Sequence, residues 1–489
     1  MNTTDEQRRG LYAAFKSKDT RFDGRFFVGV SSTGIYCRPV CRAKMPKYEN
    51  CTFYKTAAEA EQADYRPCLI CRPELAPGRS ITDATTALAH RAARYIEENC
   101  GSGMDLENLA GRLGYTGRHL RRVFQTEYHV SPIGYRQTCR LLLAKNLLTD
   151  TDLPIIRVAT AAGFGSLRRF NDAFKTHYRL SPSALRKQAS GGSKGQDATT
   201  LTLGYHPPYR WRELCGFLAG RAIPGVEKVD ADEYLRTVQH TNTKGEQIYG
   251  WVRVRQTPGK TSLQVTISSS LLSVLSQVLA RVRHLFDLYS EPFTIADTLQ
   301  SMNDIKPGLF VPGIRVPGCY DPFEMVVRTV LGQQITVKAA TTLTGRFVQT
   351  FGLSTQQSFG GCDRVFPSPE RIIEEGDLLT DRLGAIGIIA SRSKAIYLLA
   401  QSFAQGSIDL SPGANPQKEI KKLMALPGIG KWSAQYIAMR SMGWPDAFLD
   451  TDYGVKKALA AFSKEDIAQL SDSWRPWRSY AVISLWNSL

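Results

Sequence analysis

One string of this chain is written twice. Phe124-Gln-Thr-Glu-Tyr-His-Val-Ser-Pro132 matches Phe174-Lys-Thr-His-Tyr-Arg-Leu-Ser-Pro182 at an offset of 50, and upstream Ala110…Gly114-Tyr115 matches Ala159…Gly163-Phe164 at an offset of 49. Two copies of one helix–turn–helix unit, with a single inserted residue, account for the pattern. Apolar residues at helical spacing, with turns at Gly101–Gly103, Ser131–Pro132 and Ser181–Pro182, predict an all-α tandem domain over residues 82–189. Each unit supplies a recognition helix, roughly Thr116–Thr126 and Ser166–Thr176. The first bears Arg118, His119, Arg121 and Arg122, and the second Arg168, Arg169 and Lys175. Such helices present side chains to major-groove base edges and phosphates.

Charge points the same way. Lys plus Arg is 62 against 45 for Asp plus Glu, a net +17 that favours a polyanionic partner. Before Ala198 there are 31 basic and 19 acidic residues, and from there on 31 and 26, so the excess is concentrated in the first part. The basic residues lie on recognition helices rather than on a lipid-facing amphipathic helix, which favours nucleic acid over an anionic membrane. Met1–Gly10 has no apolar core, and no stretch approaches the roughly 18–20 apolar residues of a membrane helix. A cytoplasmic, nucleoid-associated protein is expected, with no membrane partner. The 489 residues suit three or four domains. Composition shifts predict them at 1–78, 82–189, 199–290 and 291–489, with a small polar, flexible linker over 190–198 that leaves open how the flanking halves communicate.

Four of ten cysteines form two close pairs, Cys37-Arg-Pro-Val-Cys41 and Cys68-Leu-Ile-Cys71. Each pair can curl around one edge of a tetrahedron, which suits a zinc ion. A purely structural site is one reading. The other is that a zinc-bound thiolate reached by solvent is a nucleophile, with Arg38, Arg42, Lys44 and Lys47 placed to hold a DNA backbone against it. Cys51, Cys100, Cys139, Cys215, Cys319 and Cys362 lack such partners and are expected in cores. The context Thr33-Gly-Ile-Tyr-Cys37-Arg-Pro-Val-Cys41-Arg-Ala, with Phe53-Tyr54 and Arg66-Pro-Cys68, resembles the N-terminal domain of the Ada family. The resemblance implies that Cys37 accepts a methyl group irreversibly from a DNA methylphosphotriester while Cys37, Cys41, Cys68 and Cys71 ligate one zinc ion. Losing one negative charge there would reduce repulsion toward phosphates.

Ala159-x3-Gly163-Phe164-x5-Phe170-x3-Phe174-Lys175, followed by Leu180-Ser-Pro182, resembles the AraC-type tandem domain, and its place after the zinc module is the order of Ada regulators. The Pro-Cys-His-Arg motif of an O6-methylguanine methyltransferase domain is missing from the rest of the chain.

The segment beyond the linker is instead strand-like at Tyr249–Arg255 and Ser262–Ile267, and almost wholly helical from about Pro292. Leu426-Pro-Gly-Ile-Gly-Lys431 reads as the turn of a helix–hairpin–helix, where Gly428, Gly430 and Lys431 bind a DNA phosphate through backbone N–H groups and charge. Asp450-Thr-Asp452-Tyr453 lies beyond it. With Tyr205–Trp211, Gly216-Phe-Leu-Ala-Gly-Arg-Ala222, Pro307-Gly-Leu, Leu331-Gly-Gln-Gln334 and Trp474-Arg-Pro-Trp-Arg-Ser-Tyr480, these stretches resemble the AlkA family of 3-methyladenine glycosylases. That resemblance assigns the catalytic aspartate, directly before tyrosine, to Asp452. It places Trp432, Tyr436, Tyr453 and Trp486 in an aromatic pocket that attracts a cationic alkylated base by stacking and cation–π contact. It also implies a monovalent cation on the carbonyls of Met424, Leu426 and Gly428. Relatives that cleave the strand carry a lysine where Trp432 stands, so hydrolysis without β-elimination is expected. No cysteine follows Cys362, which excludes the iron–sulfur cluster of other relatives. AlkA fills the gap left by the flipped base with a leucine. Gln334 stands at that position here, so either a polar plug or neighbouring Ile335 serves.

The expected fold is multidomain α+β: a small zinc-binding α/β module, a tandem helix–turn–helix domain, a β-sheet subdomain and an all-α helix–hairpin–helix domain. The expected function is excision of alkylated purines combined with methyl transfer to Cys37 and transcription regulation. The partners implied are alkylated and operator double-stranded DNA and RNA polymerase, acting on a monomer. The alternative is a regulator with a structural zinc site and a non-catalytic, DNA-holding second half.

Overall fold

The computed structural model describes residues 4–77, 87–102, 105–188, 198–242 and 244–489. The expected helix start at Thr82, Gly103 of the first turn and the linker up to Asp197 lie outside the described residues. Ala198, expected in the linker, opens a strand instead.

Thr4 and Gln7 form a reciprocal capping box that starts the first helix, Asp5–Ser17. Its Ala14 and Phe15 pack into the cluster that also holds Phe26, Val28 and Phe53. The sheet beside it runs Cys51–Tyr54, Phe27–Val30, Ile35–Cys37, Arg66–Pro67, antiparallel except for its last pair. This sheet edge brings Cys37, at a strand end, beside the turn that carries Cys68 and Cys71.

The duplicated sequence becomes duplicated structure. The recognition helices are Gly117–Tyr128 and Leu167–Tyr178, N-capped by Thr116 and Ser166 and ended by His129 and Arg179 in the left-handed conformation. Phe124 and Tyr128 match Phe174 and Tyr178 as buried anchors. The Ser-Pro of each repeat is a helix start, with Pro132 and Pro182 in the first turn, where the missing N–H costs nothing. The long helix Pro132–Asp150 connects the two units.

The next layer is a five-stranded antiparallel sheet in the order Ala198–Gly204, Ser262–Ser268, Gln247–Gln256, Glu233–Thr241, Glu227–Val229. Helices Trp211–Ala219 and Leu275–Leu285 bury their apolar residues in the same cluster as the sheet's inward face. The remainder is helical, with one exception that the sequence pattern did not reveal. Leu353–Phe359 and Cys362–Val365 form a hairpin turning at Gly360 and Gly361, both at positive φ. Phe359 stacks on Trp251 of the sheet at 3.6 Å between ring centres, and this long-range contact compensates for a polar strand with little intrinsic signal.

One hydrophobic cluster runs from Leu141, Leu147, Phe170 and Phe174 of the tandem domain into Leu201, Val252, Ile267 and Leu279 beyond residues 189–197. The linker's composition left the relation between the halves open, and residues on both sides of it share this core. Polar contacts tie in the zinc module as well. Asp150 accepts from Arg72 Nη1 at 2.7 Å and from the Thr202 N–H at 3.2 Å, so one carboxylate joins three modules. Lys145 and Glu74 form a fully buried ion pair, and Arg25 pairs with Glu291.

Candidate functional site

The sulfurs of Cys37, Cys41, Cys68 and Cys71 all lie within 4.8 Å of one another, with Cys41 and Cys68 4.0 Å apart. Tetrahedral zinc with bonds of about 2.3 Å needs sulfurs about 3.8 Å apart, so the set fits the ion. All four cysteines are free of disulfides. The Arg38 N–H donates to Cys71 Sγ at 3.3 Å, the kind of second contact that holds a ligand in place. One expected phosphate-gripping residue is corrected. The Arg38 side chain turns inward onto Asp23, with Nε to Oδ1 at 2.8 Å, and also donates to the Cys71 carbonyl. Arg42, Lys44 and Lys47 remain exposed. Cys37 is 6 % exposed, while Cys71 is more open. The other six cysteines are buried, apart from half-buried Cys139.

Arg118, Arg121, Arg122, Arg168 and Arg169 are all exposed on the two recognition helices. Among the described residues their ion pairs and side-chain contacts are exposed ones: Arg121 to Glu107 at 3.0 Å, Arg122 to His119 at 3.2 Å, and Arg168 to Asp172 at 4.0 Å. Exposed pairs of this kind are worth less than about 1 kcal/mol, so phosphates can displace them.

In the second half, helices Pro416–Met424 and Lys431–Ser441 flank the expected hairpin. Gly428 sits at φ 84, and Gly430 is the N-cap of the second helix without a side-chain cap, leaving first-turn N–H groups facing outward. Lys431 Nζ pairs with Asp450 Oδ2 at 2.5 Å. The neighbouring loop is tied to the hairpin: Gln333 Nε2 donates to the Gly428 carbonyl at 2.9 Å and Arg392 donates to the Gln333 carbonyl. Gln334 is exposed at φ 58, beside exposed Ile335. Of the three carbonyls expected around a cation, Gly428 thus already accepts from Gln333 and Leu426 accepts from the Ile429 N–H, while the Met424 side chain is exposed.

Asp452 caps the helix Tyr453–Ala458. Its Oδ1 accepts from the Val455 N–H at 3.0 Å and from Trp486 Nε1 at 2.8 Å, and its Oδ2 accepts from Trp432 Nε1 at 3.0 Å. Trp432 stacks on Tyr436 at 5.1 Å, and Tyr436 meets Trp486 edge-on at 6.2 Å. Tyr453 does not join them. It is the first residue after the cap, and its side chain is directed outward, 79 % exposed.

Sequence reasoning missed two contributions to this cluster. Phe217, from the helix under the sheet, stacks on Trp486 at 6.2 Å, and Arg221 lies over Phe217 at 3.7 Å. Both fall in the quoted stretch Gly216–Ala222, but no local pattern says that a helix from another subdomain reaches the site. Arg440 Nη1 donates to the Tyr436 hydroxyl at 2.7 Å. Burial raises the pKa of that hydroxyl, yet the guanidiniums of Arg440, Arg221 and Arg328 outweigh it and hold the pKa below the ordinary tyrosine value.

A four-cysteine zinc module, a tandem helix–turn–helix and a helix–hairpin–helix with an indole-bound aspartate define a DNA-acting protein with separate metal and base-handling centres. Sequence profiles match in the same order: the metal binding domain of Ada over residues 10–74, a helix-turn-helix domain over 109–188 and the AlkA N-terminal domain over 200–321. A Mycobacterium tuberculosis protein named "Probable bifunctional transcriptional activator/DNA repair enzyme AlkA" is 34 % identical over 98 % of this chain and 96 % of its own length. The chain belongs to that family, an Ada/AraC-type regulator fused to an AlkA-type glycosylase. DNA-3-methyladenine glycosylase 2 of Escherichia coli is 32 % identical over 58 % of this chain and 96 % of its own. Among solved structures, a 3-methyladenine DNA-glycosylase from Archaeoglobus fulgidus is matched over 58 % of this chain and 97 % of its own, at 17 % identity and a TM-score of 0.49. The four cysteines hold one zinc ion.

Proposed function

We propose that this protein excises alkylated purines such as 3-methyladenine and 7-methylguanine from double-stranded DNA by hydrolysis. It also takes a methyl group from DNA methylphosphotriesters onto Cys37 and regulates transcription in response. The observation that carries the excision reading is the Asp452 carboxylate, held at a ring cluster of Trp432, Tyr436, Trp486 and Phe217 beside a phosphate-binding hairpin. A purine alkylated at N3 or N7 is cationic and already a good leaving group. The aromatic cluster attracts it by roughly 0.5–2 kcal/mol, and the carboxylate stabilises positive charge on the sugar while water attacks. Trp432 stands where a Schiff-base lysine would, so the strand is left intact.

At the zinc module, Cys37, Cys41, Cys68 and Cys71 would hold a zinc ion that would keep the sulfurs as thiolates at neutral pH. The Cys37 sulfur attacks the methyl carbon, an S–C bond forms, the C–O bond breaks and the phosphate diester leaves as an anion. Arg42, Lys44 and Lys47 are the exposed charges that hold the backbone there, and Arg118, Arg121, Arg122, Arg168 and Arg169 grip operator DNA. RNA polymerase is the partner of a monomeric regulator in this reading. A monovalent cation on the carbonyls of Met424, Leu426 and Gly428 would add to the phosphate contact at Gly428, Gly430 and Lys431, and the exposed Gln334–Ile335 pair fills the gap in the base stack. The modules are proposed at 1–78, 82–189, 199–290 and 291–489.

Release of 3-methyladenine from alkylated DNA by the full chain, abolished in Asp452→Asn, tests the first activity. A mass gain of one methyl on Cys37 after incubation with methylphosphotriester DNA tests the second. No base release, or an unmodified Cys37, leaves a regulator whose second half only holds DNA or whose zinc is only structural.

A further inference from the structure

A carboxylate offers about four lone-pair positions. At Asp452 three are taken: the Val455 N–H and Trp486 Nε1 both donate to Oδ1, and Trp432 Nε1 donates to Oδ2. One position stays open, on Oδ2. The indoles are in turn held from behind. Trp432 lies nearly parallel to Tyr436, with 15° between the rings, and Trp486 nearly parallel to Phe217, with 14°. Tyr436, which touches both indoles, is fixed by Arg440.

Gly454 makes the second of these contacts possible. A Cβ added there would lie 2.7 Å from Trp486 Cδ1, 3.0 Å from its Nε1 and 3.1 Å from Asp452 Oδ1. The last two are the atoms that form the hydrogen bond, so any side chain at 454 would push the indole away from the carboxylate.

We propose that Trp432 and Trp486 are positioning residues for Asp452. Their N–H groups clamp the carboxylate so that the open lone pair of Oδ2 faces the sugar during excision, and Gly454 supplies the clearance for the clamp. This deepens the excision reading and rests on it. It gives the two tryptophans a task that a phenyl ring cannot perform, whereas stacking against a cationic base needs only the ring.

The test uses the full chain with Trp432→Phe, Trp486→Phe and Gly454→Ala. Two quantities are measured. One is single-turnover excision of 7-methylguanine, separated into the rate at saturating enzyme and the half-saturating concentration. The other is affinity for duplex DNA carrying a cationic pyrrolidine in place of the sugar, relative to a neutral tetrahydrofuran. Neither sugar analogue carries a base, so loss of base stacking cannot change the ratio, and Gly454→Ala, which keeps every aromatic side chain, separates the clamp from cation–π contact with the pyrrolidine.

Each Trp→Phe variant should lower the saturating rate about tenfold or more and shrink the cation preference by a similar factor, with half-saturation within about twofold. Gly454→Ala should do the same while every aromatic side chain is retained. Unchanged rate and preference, or losses confined to half-saturation, overturn the clamp. If a variant fails to fold, the unaltered indoles still decide. In 15N-tryptophan-labelled protein, Asp452→Ala should shift two of the seven indole N–H signals, and a spectrum in which none moves refutes the contact. Full excision by Asp452→Asn would instead overturn the excision reading. An inactive Asp452→Asn beside Trp→Phe variants of normal cation preference would overturn the clamp alone.

Discussion

One residue, Thr451, separates Asp450 from Asp452, and hydrogen bonding separates their surroundings: an exposed lysine takes the first, two indoles and an amide take the second. In the proposed reading, where Lys431 binds phosphate, Asp450 competes with phosphate for it. Asp450→Ala should tighten binding to undamaged DNA and steepen its salt dependence by about one unit of slope. A weaker or salt-indifferent complex in a titration would show that Lys431 stays off the DNA. A second prediction concerns Glu61, which accepts from Tyr36 at 3.0 Å and from Thr138 at 2.9 Å where the zinc module meets the long connecting helix. Burial pushes its carboxyl from 4.5 up to about 7. The folded value lies above the unfolded one, so the contribution to stability is full below about pH 4.5 and is lost as pH rises through about 7. Glu61→Gln should thus gain on the parent as pH rises from 5 to 8, by up to roughly 3 kcal/mol, read from denaturant midpoints. A pH-independent difference would contradict it. The four cysteines were legible in the sequence because their spacing marks them, and Asp452 was singled out by resemblance, through the tyrosine that follows it. The inward turn of Arg38, the outward turn of Tyr453 and the approach of Phe217 were not, since each is decided by a neighbour distant in the chain.

At the scale of elements, the repeat carried the most information. Its Thr116 and Ser166 are the N-caps of the recognition helices, and each accepts the backbone N–H three residues on. Ser166→Ala should cost about 1 kcal/mol of stability, measured by chemical denaturation, and lower operator affinity through fraying at Arg168 and Arg169. No loss of stability would mean that packing at Phe170 and Phe174 alone sets the helix start. Helix boundaries in this region fell within two residues of the sequence reading at the caps, because capping chemistry is local. The hairpin Leu353–Phe359 with Cys362–Val365 was invisible because its pairing depends on Trp251 and Arg253 of a distant sheet.

At the scale of the molecule, the polar segment before Ala198 reads as a flexible linker, yet one core takes residues from both sides of it. Composition reports the solubility of a connecting segment, whereas docking is decided by faces such as Phe170, Phe174, Leu201 and Val252 that are buried together. Truncation to residues 198–489 should uncover that face and give a fragment that unfolds at a lower temperature than the intact chain or aggregates. Equal melting temperatures would contradict the shared core. The uneven charge also finds its place: the excess of basic residues lies in the modules with exposed arginines on recognition helices, while the hairpin, in the proposed reading, would meet phosphate through the uncapped helix start at Gly430. The most direct test of the whole account is release of free base from alkylated duplex DNA by the purified full chain. Free 3-methyladenine with the strand left unnicked, and none from Asp452→Asn, is the predicted result. An absence of released base from the unaltered chain, or release that survives in Asp452→Asn, would contradict it.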